Sequence, residues 1–131
     1  MSPIFKTKIL DKLQLGRVRI VVRNDQLIIN RGQKLLDRGN YEKNPKVFEH
    51  VRNKMRELGR LVIAAQDIDP MIRQMSDLIA PDRFDVLVKA TNVICGYDPD
   101  TREYKTPSLA LKTGHAVNEC FLILRGQYSR K

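Results

Sequence analysis

FEHVRNKMRELGRLVIAAQ, residues 48–66, carries a helical pattern that sorts apolar residues from basic ones. Apolar residues recur at steps of three and four, a spacing that places them in one stripe along a helix. They are Phe48, Val51, Met55, Leu58, Val62 and Ala65. Basic residues lie on the opposite side, namely Arg52, Arg56 and Arg60 with Lys54 beside them. The pattern predicts a central helix that fills a core with one face and presents a basic row with the other.

Two glutamates and a glycine add detail to this helix. Each glutamate lies three residues before an arginine, which predicts the internal pairs Glu49–Arg52 and Glu57–Arg60. Exposed pairs of this kind contribute little stability, and they would leave the rest of the basic row unpaired. Gly59 lies inside the helix, where glycine costs roughly 1 kcal/mol relative to alanine. Its presence indicates the close approach of another helix or of a backbone.

Capping and stopping residues divide the rest of the chain into further helices. Asn24 or Asp25 can cap a helix that ends at about Arg38, and Thr106 with Pro107 starts the last helix. The other predicted elements are a basic amphipathic helix within 1–15, a short helix over 70–75, a single turn over 77–79 capped by Ser76, and a helix over 82–95.

Apolar spacing assigns a buried side to three of these helices. The helix that ends at Arg38 is predicted to bury Leu27, Ile28, Leu35 and Leu36, with Arg31, Lys34 and Arg38 on its outer side. The helix over 82–95 is predicted to bury Phe84, Leu87, Val88, Thr91 and Ile94. The last helix is predicted to bury Leu109, Leu111, Val117, Cys120, Phe121 and Leu124.

Two segments lack a clear helical pattern. Residues 17–23, RVRIVVR, alternate like a strand without a partner, so we interpret them as extended chain or as the first turns of a helix. Residues 97–105 read as a charged loop, and no strand pair is expected. The predicted fold class is all-α, a compact array of five or six helices. A single domain over 1–131 would comprise a folded core over 15–124, a basic amphipathic segment over 1–14 and a basic tail over 125–131.

The formal net charge of +9 is unevenly distributed. Residues 1–66 hold 15 Lys and Arg against 6 Asp and Glu, whereas residues 67–103 hold 4 against 8 and residues 104–131 hold 5 against 1. Basic ends around an acidic middle favour a polyanionic partner. Aromatic content of only 6%, without Trp, disfavours a stacking platform for single-stranded bases.

Membrane and redox signals are also weak. The apolar runs are too short to span a bilayer, and a membrane-surface role for the segment 1–15 is disfavoured because a core is available nearby. Cys95 and Cys120 occur singly in apolar helical contexts. They predict two buried thiols in a reducing, intracellular compartment rather than a disulfide.

No stretch of the sequence shows catalytic chemistry. The two Cys and two His lack metal-ligand spacing, and there is no glycine-rich phosphate loop and no nucleophile elbow. We therefore expect no enzymatic activity, no metal and no cofactor. The leading hypothesis is a DNA-binding module whose basic side chains contact phosphates. The candidate residues are Arg17, Arg19, Arg23, Arg31, Lys34, Arg38, Arg52, Lys54, Arg56, Arg60, Lys112 and His115. A protein-interaction or self-associating module is the main alternative, and RNA is a third candidate partner.

Several blocks support a family resemblance. They are VVRNDQLII at 21–29, VRNKMRELGRLV at 51–62, SDLIAPDRF at 76–84, CGYD at 95–98 and KTPSLALKTGH at 105–115. Together they resemble a domain of animal proteins of mobile-element origin, in which it lies upstream of a region similar to Crypton-type tyrosine recombinases. The resemblance covers about residues 15–124. It implies a nuclear protein that is similar to the helical core-binding domain with which tyrosine recombinases clamp duplex DNA.

The same resemblance implies that this module is not itself catalytic. Tyrosine recombinases use an arginine, a His-x-x-Arg motif and a tyrosine nucleophile. Neither His50 nor His115 is followed by arginine at the third position, and Tyr128 stands in the basic tail without such partners. Any catalytic part would lie outside these residues, and the helix over 107–124 would resemble the closing helix of a core-binding domain.

Overall fold

The structure, a computed structural model, describes residues 1–126 as a packed array of helices. The elements are α1 (Pro3–Lys8), α2 (Arg17–Arg23), α3 (Gln26–Arg38), α4 (Lys46–Ile68), α5 (Met75–Leu78), α6 (Phe84–Cys95), β1 (Tyr97–Asp98), β2 (Glu103–Tyr104) and α7 (Pro107–Leu124), with 3-10 turns at Leu10–Lys12 and Pro81–Arg83. The predicted all-α fold class is confirmed. Most of the predicted basic tail, with Tyr128, lies outside the described residues.

Helix α4 is the centre of the array and packs against α2, α3 and α6. Its predicted apolar stripe is confirmed from Val51 to Ala65, since these side chains are buried, whereas Phe48 is half-buried beside Tyr41. Leu61 and Ala64 are buried as well. Because three helices surround α4, it buries a wider arc than one stripe and leaves less surface for a basic row.

The close approach expected at Gly59 is made by α2. A Cβ atom at Gly59 would lie 2.8 Å from Cγ2 of Val22 and 3.1 Å from Cγ1 of Val18. These valines are one helical turn apart, so residues 17–23 present one side to α4 as a helix. The extended interpretation of this segment is therefore wrong, and α2 adds a helix to the five or six predicted.

Asp25 is the cap of α3, and it also fixes the start of α5. Its buried carboxylate accepts hydrogen bonds from the backbone N–H of Ile28 at 3.2 Å and of Met75 at 2.7 Å. The carboxylate of Asp77 accepts from the N–H groups of Arg73 and Gln74. These bonds start α5 at Met75 with Gln74 as its N-cap. The short helix over 70–75 and the Ser76 cap are therefore wrong, because side-chain acceptors take the N–H groups there.

The N-terminal segment docks by its apolar side, as predicted. Phe5 and Ile9 are fully buried, and Leu10 and Leu13 are nearly so. The segment forms α1 and a 3-10 turn rather than one continuous helix. The hydrophobic core consequently extends to Phe5, ahead of the predicted boundary at residue 15.

Residues 97–105 contain a short antiparallel strand pair, so the prediction of a loop without strands is wrong. Tyr97 lies opposite Tyr104 and Asp98 opposite Glu103. The two tyrosine rings pack with their centroids 5.1 Å apart, and the Tyr104 hydroxyl donates to Asn92 on α6 at 3.1 Å. These side-chain contacts stabilise a strand pair that the charged sequence of this segment does not predict.

The two C-terminal helices bury less than predicted. On α6, Phe84 is 66% exposed and Val88 is also exposed. On α7, the same holds for Leu111 and Leu124. Cys95 and Cys120 are buried free thiols, as predicted. In the part of the chain that the structure describes, no helix is both long and apolar enough to cross a membrane.

Candidate nucleic-acid interface

The predicted basic row of α4 is split between two hollows. Arg56 and Arg60 line one hollow next to α2, whereas Lys54 lines another next to α7. Lys54 and Arg56 are two residues apart, which is about 200° around a helix axis. The prediction that Lys54 lies beside the arginines is therefore wrong.

The predicted pairing within α4 is correct in part. Arg52 donates to Glu49 at 2.6 Å, as expected. Glu57, however, pairs with Lys54 at 3.5 Å instead of with Arg60. Arg56 also pairs, donating to Glu49 at 3.2 Å and to Asn53. Lys54 and Arg56, which were expected to remain unpaired, thus each have a carboxylate partner.

We call the hollow next to α7 the α7 groove. It lies between α3, α4 and α7 and has a volume of about 350 Å³. Its lining residues are Arg31, Leu35, Arg38, His50, Lys54, Leu111, Lys112, His115 and Glu119. The lining holds four Lys and Arg side chains and one carboxylate, a formal net charge of +3 with neutral histidines. Glu57, the partner of Lys54, reduces this net charge to +2. The α7 groove therefore gathers candidate residues that are far apart in sequence.

Glu119 anchors the inner wall of the α7 groove. Its Oε1 accepts hydrogen bonds from Nε and Nη2 of Arg31 at 3.1 and 3.0 Å, and its Oε2 accepts from Nη2 of Arg38 at 3.2 Å. Arg31 is only 4% exposed. The prediction that Arg31 lies on the outer side of its helix is therefore wrong: this arginine joins α3 to α7 and does not face solvent.

The pKa of Glu119 reflects this arrangement. Burial alone would raise it, but the hydrogen bonds and charge of Arg31, together with the charges of Arg38 and His115, hold the pKa below its ordinary value of 4.5. Nε2 of His115 lies 3.6 Å from Oε1 of the same carboxylate. Glu119 is therefore an ionised scaffold that orients Arg38 and His115 at the groove.

The outer edge of the α7 groove carries Lys112, His115 and His50, all of which are exposed. Lys112 and His115 were predicted to share an outer strip, and the structure confirms it. His50 is a lining residue that the sequence analysis did not select. It precedes Lys54 by one helical turn, so the spacing of four residues could have found it.

The second hollow, which we call the α2 cleft, has a volume of about 210 Å³ and is lined by residues 13–19 with Arg56 and Arg60. Four of the predicted contact residues, Arg17, Arg19, Arg56 and Arg60, therefore line this cleft. Arg17 pairs with Asp67 at 3.5 Å, and Arg19 donates to the Leu13 carbonyl at 3.4 Å. Several charges of the α2 cleft are thus occupied by local partners.

The other candidate residues lie away from both hollows. Arg23 donates to the Leu10 carbonyl at 3.3 Å, and Arg52 donates to the Lys8 carbonyl at 2.6 Å. These two arginines hold the N-terminal segment against α2 and α4. Lys34 lines a separate hollow that also contains Asp37.

Neither cysteine is placed as a reactive group. Burial raises the pKa of Cys120 to about 12, and burial also raises the pKa of Cys95. Among residues 1–126, no group of three or more His, Cys, Asp or Glu side chains is arranged to hold a metal ion.

The fold and the two hollows define a helical protein with a basic groove built from three helices. Comparison with known proteins adds no relative: no protein-family model, no curated protein and no solved structure matches the chain. The resemblance to Crypton-related proteins and to the core-binding domain of tyrosine recombinases therefore stays a hypothesis.

Proposed function

We propose that this protein is a non-catalytic DNA-binding module that contacts the phosphate backbone of a duplex through the α7 groove. The observation that carries the proposal is the convergence of Arg38, Lys54 and Lys112 from three separate helices onto one open groove. The twelve candidate residues do not form one continuous surface, so the proposal is confined to this groove.

The chemistry of the α7 groove favours phosphate over bases. Lysine and arginine side chains neutralise phosphates and release condensed counterions, which supplies most of the affinity of sequence-independent binding. No Phe, Tyr or Trp is among its described lining residues, so the large aromatic platform on which single-stranded bases stack is missing there. Contacts of this kind position a duplex and carry little sequence information.

Glu119 supports this role by positioning rather than by binding. A carboxylate near phosphates would repel them, but its two oxygens are occupied by Arg31 and Arg38. The pairing holds Arg38 at the edge of the groove. The resemblance to the core-binding domain of tyrosine recombinases agrees with a DNA-clamping module, and a DNA partner would place the protein in the nucleus.

The proposal is tested by fluorescence anisotropy with a labelled duplex at several salt concentrations. The logarithm of the association constant should fall with the logarithm of salt concentration, with a slope of about −0.9 per neutralised phosphate. If three or four phosphates are neutralised, affinity should fall roughly 40- to 150-fold between 50 and 200 mM salt. Salt-insensitive binding, or no binding at low salt, would contradict the proposal.

A charge-matched pair of variants locates the contact. Lys54→Gln with Lys112→Gln removes two charges from the α7 groove, and Lys43→Gln with Lys89→Gln removes two exposed charges elsewhere. The groove variant should reduce the steepness of the salt dependence by about two contacts. The control should keep the wild-type slope. Equal losses in both variants would show that net charge alone accounts for binding.

Competition separates the remaining nucleic-acid partners. Unlabelled duplex DNA, duplex RNA and single-stranded DNA of equal length compete against the labelled duplex. Duplex DNA should compete best, because the proposed contact reads the backbone geometry of a DNA duplex. Stronger competition by duplex RNA would replace the proposal with RNA binding.

A further inference from the structure

A second groove, on the other side of α7, is largely apolar. This α6–α7 groove has a volume of about 340 Å³. Its lining residues are Leu78, Ile79, Ala80, Pro81, Phe84, Leu87, Gly114, Val117, Asn118 and Phe121. Phe84 is 66% exposed within it. An exposed phenylalanine at the edge of a continuous apolar groove is typical of a surface that another molecule covers.

The edge of the α6–α7 groove is acidic. Asp82 and Asp85 flank Phe84 in the sequence, and both are exposed. Asp82 pairs with Arg83 at 3.3 Å, so residues 82–85 keep a formal net charge of −1, from two aspartates and one arginine. The surrounding segment, residues 67–103, has twice as many acidic as basic side chains. An occupant that matches this groove would therefore combine an apolar side chain with positive charge on both sides of it.

The outer face of α2 has this combination. Ile20 is 63% exposed, and it lies between Arg17 and Arg23, one helical turn away on either side. Leu15 is also exposed just before the helix. At 1.5 Å per residue, the seven residues of α2 extend over about 10 Å.

We propose that α2 of one copy of this protein docks into the α6–α7 groove of a second copy. Ile20 packs against Phe84. Arg17 and Arg23, whose carboxylate partners within one copy are the exposed Asp67 and Asp11, exchange these partners for Asp82 and Asp85 of the second copy. The contact joins two different surfaces, so it is head-to-tail, and each added copy leaves one surface of each kind open. Association then continues beyond the dimer as protein concentration rises. This inference goes beyond the proposed function, since neither surface belongs to the α7 groove.

Sedimentation velocity of the full chain, without nucleic acid, tests the proposal. The wild-type protein should associate with rising concentration, and added salt should weaken the association. Ile20→Glu and Phe84→Asp each remove one of the two surfaces, so either variant alone should remain monomeric. Both positions are exposed, and circular dichroism checks that the variants fold. Val93→Glu changes another exposed apolar residue of α6, 65% exposed, and should associate like the wild type.

Mixing the two variants gives the decisive result. The Ile20→Glu copy keeps an intact groove and the Phe84→Asp copy keeps an intact α2, so an equimolar mixture should form dimers and stop there. A wild type that stays monomeric at all concentrations would overturn the proposal. So would a mixture that forms no dimers, or a Val93→Glu variant that fails to associate.

The same variants keep this inference separate from DNA binding. Ile20 and Phe84 lie outside the α7 groove. At protein concentrations below self-association, Ile20→Glu and Phe84→Asp should therefore bind duplex DNA with wild-type affinity. Loss of self-association without loss of DNA binding supports head-to-tail docking, whereas a loss of DNA affinity in both variants would contradict the separation of the two surfaces.

Discussion

The buried guanidinium of Arg31 on α3 donates two hydrogen bonds to Oε1 of Glu119 on α7, 88 residues further along the chain. Removing one partner of such a pair leaves an uncompensated buried charge, whereas apolar replacement of both partners is often tolerated. The pair therefore joins α3 to α7 at the inner wall of the α7 groove. It favours the folded state only while both partners are present, because either partner alone would be a buried, unpaired charge.

Glu119→Ala should lower the free energy of unfolding by about 3–5 kcal/mol, because it strands the guanidinium of Arg31 in the core. Urea denaturation monitored by circular dichroism measures this change. The matched control is the double variant Arg31→Met with Glu119→Leu, which should be more stable than Glu119→Ala. A double variant that is less stable than the single one would show that the pair itself, and not the stranded charge, dominates.

Stability should depend on pH through Glu119. Its pKa in the folded protein lies below 4.5, so its contribution to stability is present above the unfolded pKa and is lost as pH falls through the folded pKa. We expect Glu119→Gln to lower stability at neutral pH and to flatten the loss of stability below pH 4.5. Urea midpoints of both proteins across this range measure the effect. Parallel pH profiles would contradict it.

Asp25 changes stability with pH in the direction opposite to Glu119. Burial raises its pKa, so the associated stability is present below the unfolded pKa and is lost as pH rises through the folded pKa. Only the difference between the wild type and Glu119→Gln therefore isolates the effect of Glu119.

Asp25→Ala should destabilise the protein by about 2–4 kcal/mol, because two backbone N–H groups, at the starts of α3 and α5, lose their acceptor in a buried site. Thermal or urea unfolding measures the change. Asp11→Ala removes an exposed aspartate that pairs with Lys6 and Arg23, and it should change stability little. Comparable losses in the two variants would contradict the double-capping role of Asp25.

Gly59→Ala should destabilise the protein even though alanine is the better helix former. The new Cβ would press on Val22 and Val18, and crowding of this kind costs about 1–3 kcal/mol, against roughly 1 kcal/mol gained in helix propensity. Gly114→Ala on α7 meets no atom within 4 Å and should stabilise by about 0.5–1 kcal/mol. Urea denaturation compares the two variants.

A second substitution tests whether crowding against Val22 is what destabilises Gly59→Ala. Adding Val22→Ala should cost less in the Gly59→Ala background than in the wild type, because the two positions are in contact. Strict additivity of the two changes would show that α2 and α4 do not meet at Gly59.

Local patterns were sufficient for the features that depend on neighbours in sequence. The apolar stripe of α4, the close approach at Gly59 and a cap at Asn24 or Asp25 all follow from spacing or from the chemistry of single residue types, and the structure selects Asp25. The position of Lys54 away from the arginines could also be predicted from the sequence, since a step of two residues turns a helix by about 200°. The prediction that placed Lys54 beside the arginines was wrong because Lys54 shares the charge of the arginines but not their angle on the helix.

Features that depend on distant partners could not be read from spacing. The outward position predicted for Arg31 followed from its own helix, but Glu119 is the residue that draws it into the core. The exposure of Phe84 likewise depends on how α6 and α7 pack, which the pattern within α6 does not contain. The sequence therefore predicts which basic residues are candidates for the site. Only the structure shows which of them lie in the α7 groove and which lie in the α2 cleft.

The bond from Met75 to Asp25 spans 50 residues, and the whole of α4 lies within the loop that it closes. Opening of α5 would expose the carboxylate of Asp25, which also caps the first turn of α3. Fraying of α5 should therefore destabilise the start of α3. We expect α3, α4 and α5 to exchange their amide hydrogens as one cooperative unit, with α4 opening only when α3 and α5 open.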